Sequence, residues 1–241
     1  MTLRLLVLQH SPWEGPGLIL RRAAKTQRAS LVVAKVWEAP LPDLHRFDGL
    51  LLLGGGANVD QEAQYPFLVE EKRLLREAVA ADKPCLGFCL GHQLLAQALG
   101  ARIGPNFCTS VGFVLGHLTH DGREHPAFAG LGQTTPLFKW HSQTVLEPLP
   151  KHLVALMTSA ECQVEAFSVA GRPHLAGIQF DNHAAAAEDV GLWLQKDQKW
   201  LSSIRDQDVH PRKILDAARL HEKEIAAKFE TFLAGYLRLI R

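Results

Sequence analysis

The stretch PCLGFCLGHQLLAQALG, from Pro84 to Gly100, decides how the chain is read. Its first residues, Pro84 to Phe88, are a short apolar run of the kind that forms a strand covered on both faces. Leu90 to Leu99 then carries its apolar residues at helical spacing. Cys89 falls on the turn between the two, with Gly87 and Gly91 on either side. A strand that bends sharply into a helix brings backbone against its neighbours, where a Cβ would clash. This is the pattern of a nucleophile elbow, which presents one side chain at the carboxyl edge of an open α/β sheet, the usual ligand crevice. The helix start adds unpaired N–H groups and a favourable dipole, lowering a free thiol's pKa of about 8.5 and offering amides to an oxyanion. Cys85, inside the strand, reads as inert packing, and Cys108 and Cys162 carry no motif and are taken as structural.

Working outward, Leu3 to Gln9, Leu31 to Trp37 and Gly49 to Leu53 are further apolar runs, separated by helix-like stretches at Leu18 to Arg28 and Phe67 to Ala81. In the second of these, Leu68, Leu74, Leu75 and Val79 recur at helical spacing. Such alternation predicts a doubly wound α/β fold with a mostly parallel sheet. From Val111 to Phe180 the texture changes to strand-like segments and turns, which predicts an antiparallel extension. Beyond Ala184 the pattern is helical, with Ile214, Ala218, Ile225, Phe229, Phe232, Leu233 and Tyr236 recurring every three or four residues. We therefore expect residues 1–183 to form the main domain and 184–241 a C-terminal helical extension packed on it. The cluster Gly54-Gly55-Gly56 lacks the spacing of a phosphate loop. Its glycines suit instead a loop whose N–H groups approach a substrate carbonyl beside the elbow.

With 26 Lys and Arg against 25 Asp and Glu, the chain lacks the positive footprint of a nucleic-acid binder. The N-terminal apolar run is too short for a signal-peptide core or a membrane span, so no membrane partner is expected and the chain reads as cytoplasmic. Four irregularly spaced cysteines argue against a disulfide framework or a zinc cluster; no metal and no cofactor is expected.

These residues resemble a known family, the class I glutamine amidotransferases, especially the free-standing members similar to the glutaminase domain of GMP synthase. The resemblance covers roughly residues 45 to 183 through LLLGGGANVD, PCLGFCLGHQLLAQALGARI, WHSQTV and AGIQF. Gly87, Cys89, Gly91, His92 and Gln93 match the family's G-x-C-x-G-H-Q segment. The resemblance implies a flavodoxin-like sheet and a Cys89 nucleophile that attacks the side-chain amide of glutamine. Ammonia is released and a γ-glutamyl thioester remains for water to cleave. It further implies oxyanion amides from Gly55 and Leu90, Gln93 near the substrate, and a synthase partner that consumes the ammonia. The glycine-loop reading adds Gly56.

The sequence departs from the family at the segment Q-F-H-P-E, which supplies the catalytic His and Glu. Here it reads Gln179, Phe180, Asp181, Asn182, His183. Aspartate, with an ordinary pKa of about 3.9, is a feeble base at neutral pH, and a carboxylate near the sulfur disfavours the thiolate. Were the strand to continue through residue 183, Asp181 and His183 would point to one side, about 6.5 to 7 Å apart, giving a reversed pair with His183 as base and Asp181 as its orienter. His141, in a segment that the resemblance makes a substrate-side loop, is a second candidate base. Ser110 stands where relatives tend to carry Glu. Two functions follow: a thiol hydrolase cleaving the γ-amide of glutamine or another γ-glutamyl amide, or an amidotransferase homologue that has lost the acid-base machinery and acts as a ligand-binding or regulatory module.

Overall fold

A computed structural model describes residues 2–240 of the chain. Its apolar runs become β1 (Arg4–Gln9), β2 (Ser30–Lys35), β3 (Gly49–Leu52) and β4 (Cys85–Phe88), parallel neighbours in one nine-stranded sheet. Leu5 to Leu8 of β1 have no exposed surface, and alternate residues serve opposite faces. Leu5 and Val7 join the layer built by α1 (Gly17–Thr26) and the C-terminal helices, whereas Leu6 and Leu8 join the layer of α2 (Phe67–Ala80) and α3 (Leu90–Ala98). The near-continuous hydrophobicity of these strands follows from having helices on both sides.

The sheet continues through β9 (Arg172–Ile178), parallel to β4, and then through antiparallel β8 (Ala166–Val169), β7 (Leu153–Ser159), β5 (Arg102–Leu118) and β6 (Thr134–Leu146). The expected doubly wound α/β sheet with an antiparallel extension is therefore the observed one. Two strands are longer than their sequence suggests. β5 begins at Arg102 rather than Val111, and WHSQTV lies within β6 instead of forming a loop. Pro105 is a poor strand former, and here its pairing with Gln143 of β6 overrides propensity, with the register shifting between Pro105 and Ser110.

After β9 come α5 (Ala187–Lys196), α6 (Gln198–Leu201) and α7 (Pro211–Leu237), with α4 (His120–Glu124) earlier between β5 and β6. Pro211 opens α7, a position where its missing N–H costs nothing. The expected stripe of α7 is buried against α1, α5 and the sheet: Phe229 lies 6.2 Å from the Phe88 ring, and Tyr236 Oη donates to His174 O at 2.8 Å. No helix among the described residues is long and apolar enough to cross a membrane.

Candidate functional site

The bend after β4 is held by sterics and hydrogen bonds together. A Cβ on Gly87 would lie 2.3 Å from Gly91 O, and one on Gly91 would lie 2.4 Å from Leu52 O. Gly91 N–H donates to Leu53 O at 3.1 Å and Cys89 N–H to Ile178 O at 3.0 Å. Cys89 itself has φ 46° and ψ −108°, a conformation that costs a non-glycine residue energy and recurs at functional sites. Its side chain lines a cavity of about 300 Å³ together with Gly55, Gly56, Leu90, Gln93 and His141. The N–H groups of Gly55 and Gly56 have no backbone acceptor among the described residues.

The glycine loop is held from below by a buried pair that the sequence reading missed. His10, at the end of β1, donates from Nδ1 to Gly54 O at 3.1 Å and meets Glu71 through Nε2 at 2.8 Å. Burial favours neutral His10, but the charge and hydrogen bond of Glu71 outweigh it and raise the imidazole above its ordinary value. A Cβ on Gly55 would sit 2.6 Å from His10 Cβ. The available signal was Glu71 itself, a charge in the apolar stripe of α2 between Leu68 and Leu75.

Three reactive groups meet around the bare Cα of Gly54. A Cβ there would lie 3.3 Å from Asp181 Oδ1, 3.4 Å from Glu14 Oε2 and 3.5 Å from Cys89 Cβ. Glu14 was not anticipated from the sequence. Burial pushes Asp181 up to about 8, only partly opposed by the charge of Lys139 and by the Cys89 thiol. Burial likewise raises Glu14 to about 8, helped by the charges of Asp197 and Asp181. Cys89 is driven well above the ordinary thiol range by burial first and by Asp181 and Glu14 next; Lys139 and the Leu90 amide work the other way. The two carboxyls and the low-dielectric setting thus overcome the helix start.

His183 is not beside the sulfur in the manner expected of a continued strand. β9 ends at Ile178, and Asn182–Ala184 forms a 3-10 turn. The cause is Asn182, whose Oδ1 accepts from Phe138 N–H at 2.7 Å and whose Nδ2 donates to Pro136 O at 3.0 Å. With Asp181 N–H also bonded to Phe138 O, the segment curls onto β6. His183 then packs against the rings of Phe88, at 4.6 Å, and Trp193, at 6.5 Å. Its Nδ1 is 3.9 Å from Asp181 Oδ1 and has no hydrogen-bond partner, and burial lowers its pKa to about 3.

His141 does line the cavity. Its Nδ1 donates to Gln143 O at 2.9 Å, which fixes the neutral tautomer with the unpaired Nε2 as acceptor, and burial and Lys139 depress its pKa further. No hydrogen bond joins it to Cys89 among the described residues; the sulfur donates to Trp140 O at 3.9 Å. Gln93 is already engaged, donating to Gln143 O at 2.9 Å and to Gln179 Oε1 at 3.1 Å. Ser110 donates to Glu161, so a carboxylate reaches that position from another segment. Lys139 forms a fully buried ion pair with Glu165. His92 packs under the sheet against Phe167, away from the cavity lining.

Comparison with known proteins places this geometry. The model of the family "Glutamine amidotransferase class-I" matches residues 18–181. Among curated proteins, the chain is 30% identical to the glutamine amidotransferase-like protein YfeJ of Salmonella typhimurium over 149 residues, 58% of this chain and 60% of that one. It is also 30% identical to the glutamine-hydrolysing GMP synthase of Thermus thermophilus over 221 residues, 90% of this chain and 40% of that one. The chain thus spans about half the length of these curated relatives. A solved glutamine amidotransferase from Thermotoga maritima superposes over 100% of this chain and 99% of its own, with a TM-score of 0.85 at 24% identity. One from Methylobacillus flagellatus superposes over 100% and 96%, with a TM-score of 0.84 at 23% identity, and both attest the shared fold. On the family match and the elbow it contains, the chain belongs to the class I glutamine amidotransferase family.

Proposed function

We propose that the chain is a ligand-binding member of this family, whose cavity takes a small molecule beside Cys89 but which does not turn glutamine over efficiently at neutral pH. The observation that carries this reading is that a carboxyl, Asp181, and no imidazole, flanks the sulfur. A working thiol nucleophile needs a base that takes its proton and then stabilises the thiolate. Asp181 is protonated at neutral pH and so takes no proton; once ionised, it repels the thiolate it has made.

The test is release of ammonia and glutamate from glutamine by the wild type and by Cys89→Ala. The expected result is that the two rates differ by less than about tenfold, against the hundredfold or more that positioned acid-base chemistry supplies. Robust wild-type release that disappears in Cys89→Ala would end this reading.

The strained Cys89 backbone and the Leu90 amide favour a second reading, a thiol hydrolase acting on glutamine or another γ-glutamyl amide. In it the sulfur bonds to the amide carbon, the C–N bond breaks, and the thiol proton leaves with ammonia. Water then cleaves the thioester to glutamate, and a synthase partner consumes the ammonia. Ionised Asp181 would take that proton from the thiol and hand it to the leaving nitrogen in that sequence.

A further inference from the structure

The cavity that Cys89 lines is also walled by Trp13, Trp140 and Trp200, with Glu14 and Asp197 among them. The rings of Trp140 and Trp200 are 5.7 Å apart and tilted by 50°. Asp197 accepts from Trp13 Nε1 at 3.1 Å and from Trp140 Nε1 at 2.9 Å. Both indole donors are therefore spent, and what the two rings offer a ligand is their carbon surface, whose π-face is negative. Neither Lys nor Arg lines the cavity. The nearby cations are already taken: Lys139 pairs with Glu165, and His10 pairs with Glu71. Asp181 is 1% exposed with both oxygens lacking a hydrogen-bond partner, and Glu14 is 6% exposed. Against this wall a ligand carboxylate or phosphate would meet no cation; the donors that suit an oxyanion, the Gly55 and Gly56 N–H groups, belong to the glycine loop. An ammonium group would supply the positive charge that this wall lacks.

We propose that this cavity binds an organic ammonium ion, a primary or quaternary amine, seated against the Trp13, Trp140 and Trp200 wall and neutralised by Glu14 and Asp197, the two carboxyls on its lining. Aromatic walls with acidic groups recognise such cations through the ring quadrupole and direct charge. The cavity of about 300 Å³ lies at the small end of ligand sites and suits a metabolite-sized amine. The proposal rests on the reading of the cavity as a ligand pocket, and it is independent of whether Cys89 turns anything over.

Binding is coupled to protons. Glu14 faces Asp181, Asp197, His10 and Ser11, while Asp181 faces Lys139, Cys89 and Glu165. Glu14 holds its proton up to about 8, so a cation that binds its ionised form must displace that proton. Affinity consequently rises as pH increases through that value.

The experiment titrates the full chain with choline, with 1,4-diaminobutane and with 3,3-dimethylbutan-1-ol, the neutral isostere of choline, following tryptophan fluorescence and the protection of Cys89 from iodoacetamide. The expected result is binding of at least one cation, about tenfold or more tighter than the neutral isostere, strengthening in alkaline buffer and weakened about tenfold by Glu14→Gln. If Glu14→Gln does not fold, the isostere comparison and the pH series on the wild type decide alone. Equal binding of choline and its isostere, or no cation binding in alkaline buffer, overturns the proposal. Protection of Cys89 by the neutral isostere or by propanamide, without any cation preference, sinks the ammonium ion and leaves the pocket standing. No protection by any of these compounds removes both.

Discussion

Two chain segments meet at the sulfur, and they obey different constraints. The bend from β4 into α3 has backbone packed so closely at Gly87 and Gly91 that no side chain fits at either. The segment after β9, only a short distance away, is held by side-chain bonds from Asn182 to the backbone of β6 and places a carboxyl where the family places an imidazole. The first arrangement is required for the sheet and helix to pack at all. The second can change its chemistry without altering the strand order, because the Asp181 carboxyl and His183 Nδ1 make no hydrogen bond among the described residues. Preservation of the elbow is therefore evidence about architecture, and evidence about turnover has to come from the other segment.

The strongest way to break that contrast is to add one methyl group to the elbow. Gly87→Ala places a Cβ against Gly91 backbone, with no flexible side chain to yield, and we expect a loss of more than about 3 kcal/mol or insoluble protein. Gly56→Ala is the matched control on the same cavity, since nothing lies within 4 Å of its Cβ; denaturant unfolding should find it close to wild type. Equal stabilities for the two variants would show that the elbow is not sterically specified.

Next in size is the converse change in the other segment. Asp181→His together with His183→Glu restores the family's residue types at both positions, and glutamine hydrolysis should rise about a hundredfold over wild type if missing acid-base chemistry is the defect. A folded double variant with no gain would place the defect elsewhere, for instance in Gln93, whose amide is already bound within the protein. Removing the link that curls this segment has a smaller effect. Asn182→Ala leaves Phe138 N–H without its acceptor in a buried setting, which costs about 1–3 kcal/mol and should lower the melting temperature by several degrees.

The same contrast explains which features could be read in the sequence. The elbow was legible because its constraint is local: two glycines and a cysteine within five residues, after an apolar run. The stripe of α7 was legible for the same reason. The direction of His183 was not, because it depends on Asn182 bonding to β6, 44 and 46 residues earlier in the chain. The tryptophan wall is more distant still, since Trp13 is fixed by Asp197, 184 residues away. β5 was underestimated because Pro105 suppresses strand propensity locally while the pairing of Arg102 to Pro105 with β6 restores it. Glu71 lay between readable and hidden: its position in an apolar stripe was visible, but not that His10 would answer it.

The smallest effect isolates Asp181 as an electrostatic neighbour of the thiol. The measurement is alkylation of Cys89 by iodoacetamide in wild type and Asp181→Asn, both in a Cys108→Ser background, because Cys108 is the partly exposed thiol while Cys85 and Cys162 are buried. At neutral pH wild-type Asp181 holds its proton, its pKa lying near 8, so the neutral amide replaces a neutral acid and the rates should agree. In buffer well above that value the wild-type carboxyl ionises and raises the cost of forming the thiolate, whereas asparagine cannot. The variant should then react about fivefold faster, a modest factor because the charge of Glu14 still opposes the thiolate. A rate ratio that stays constant across this pH range would mean that Asp181 does not govern the sulfur. A faster variant already at neutral pH would mean that the carboxyl is ionised there, and hence available as the proton acceptor that the hydrolase reading requires.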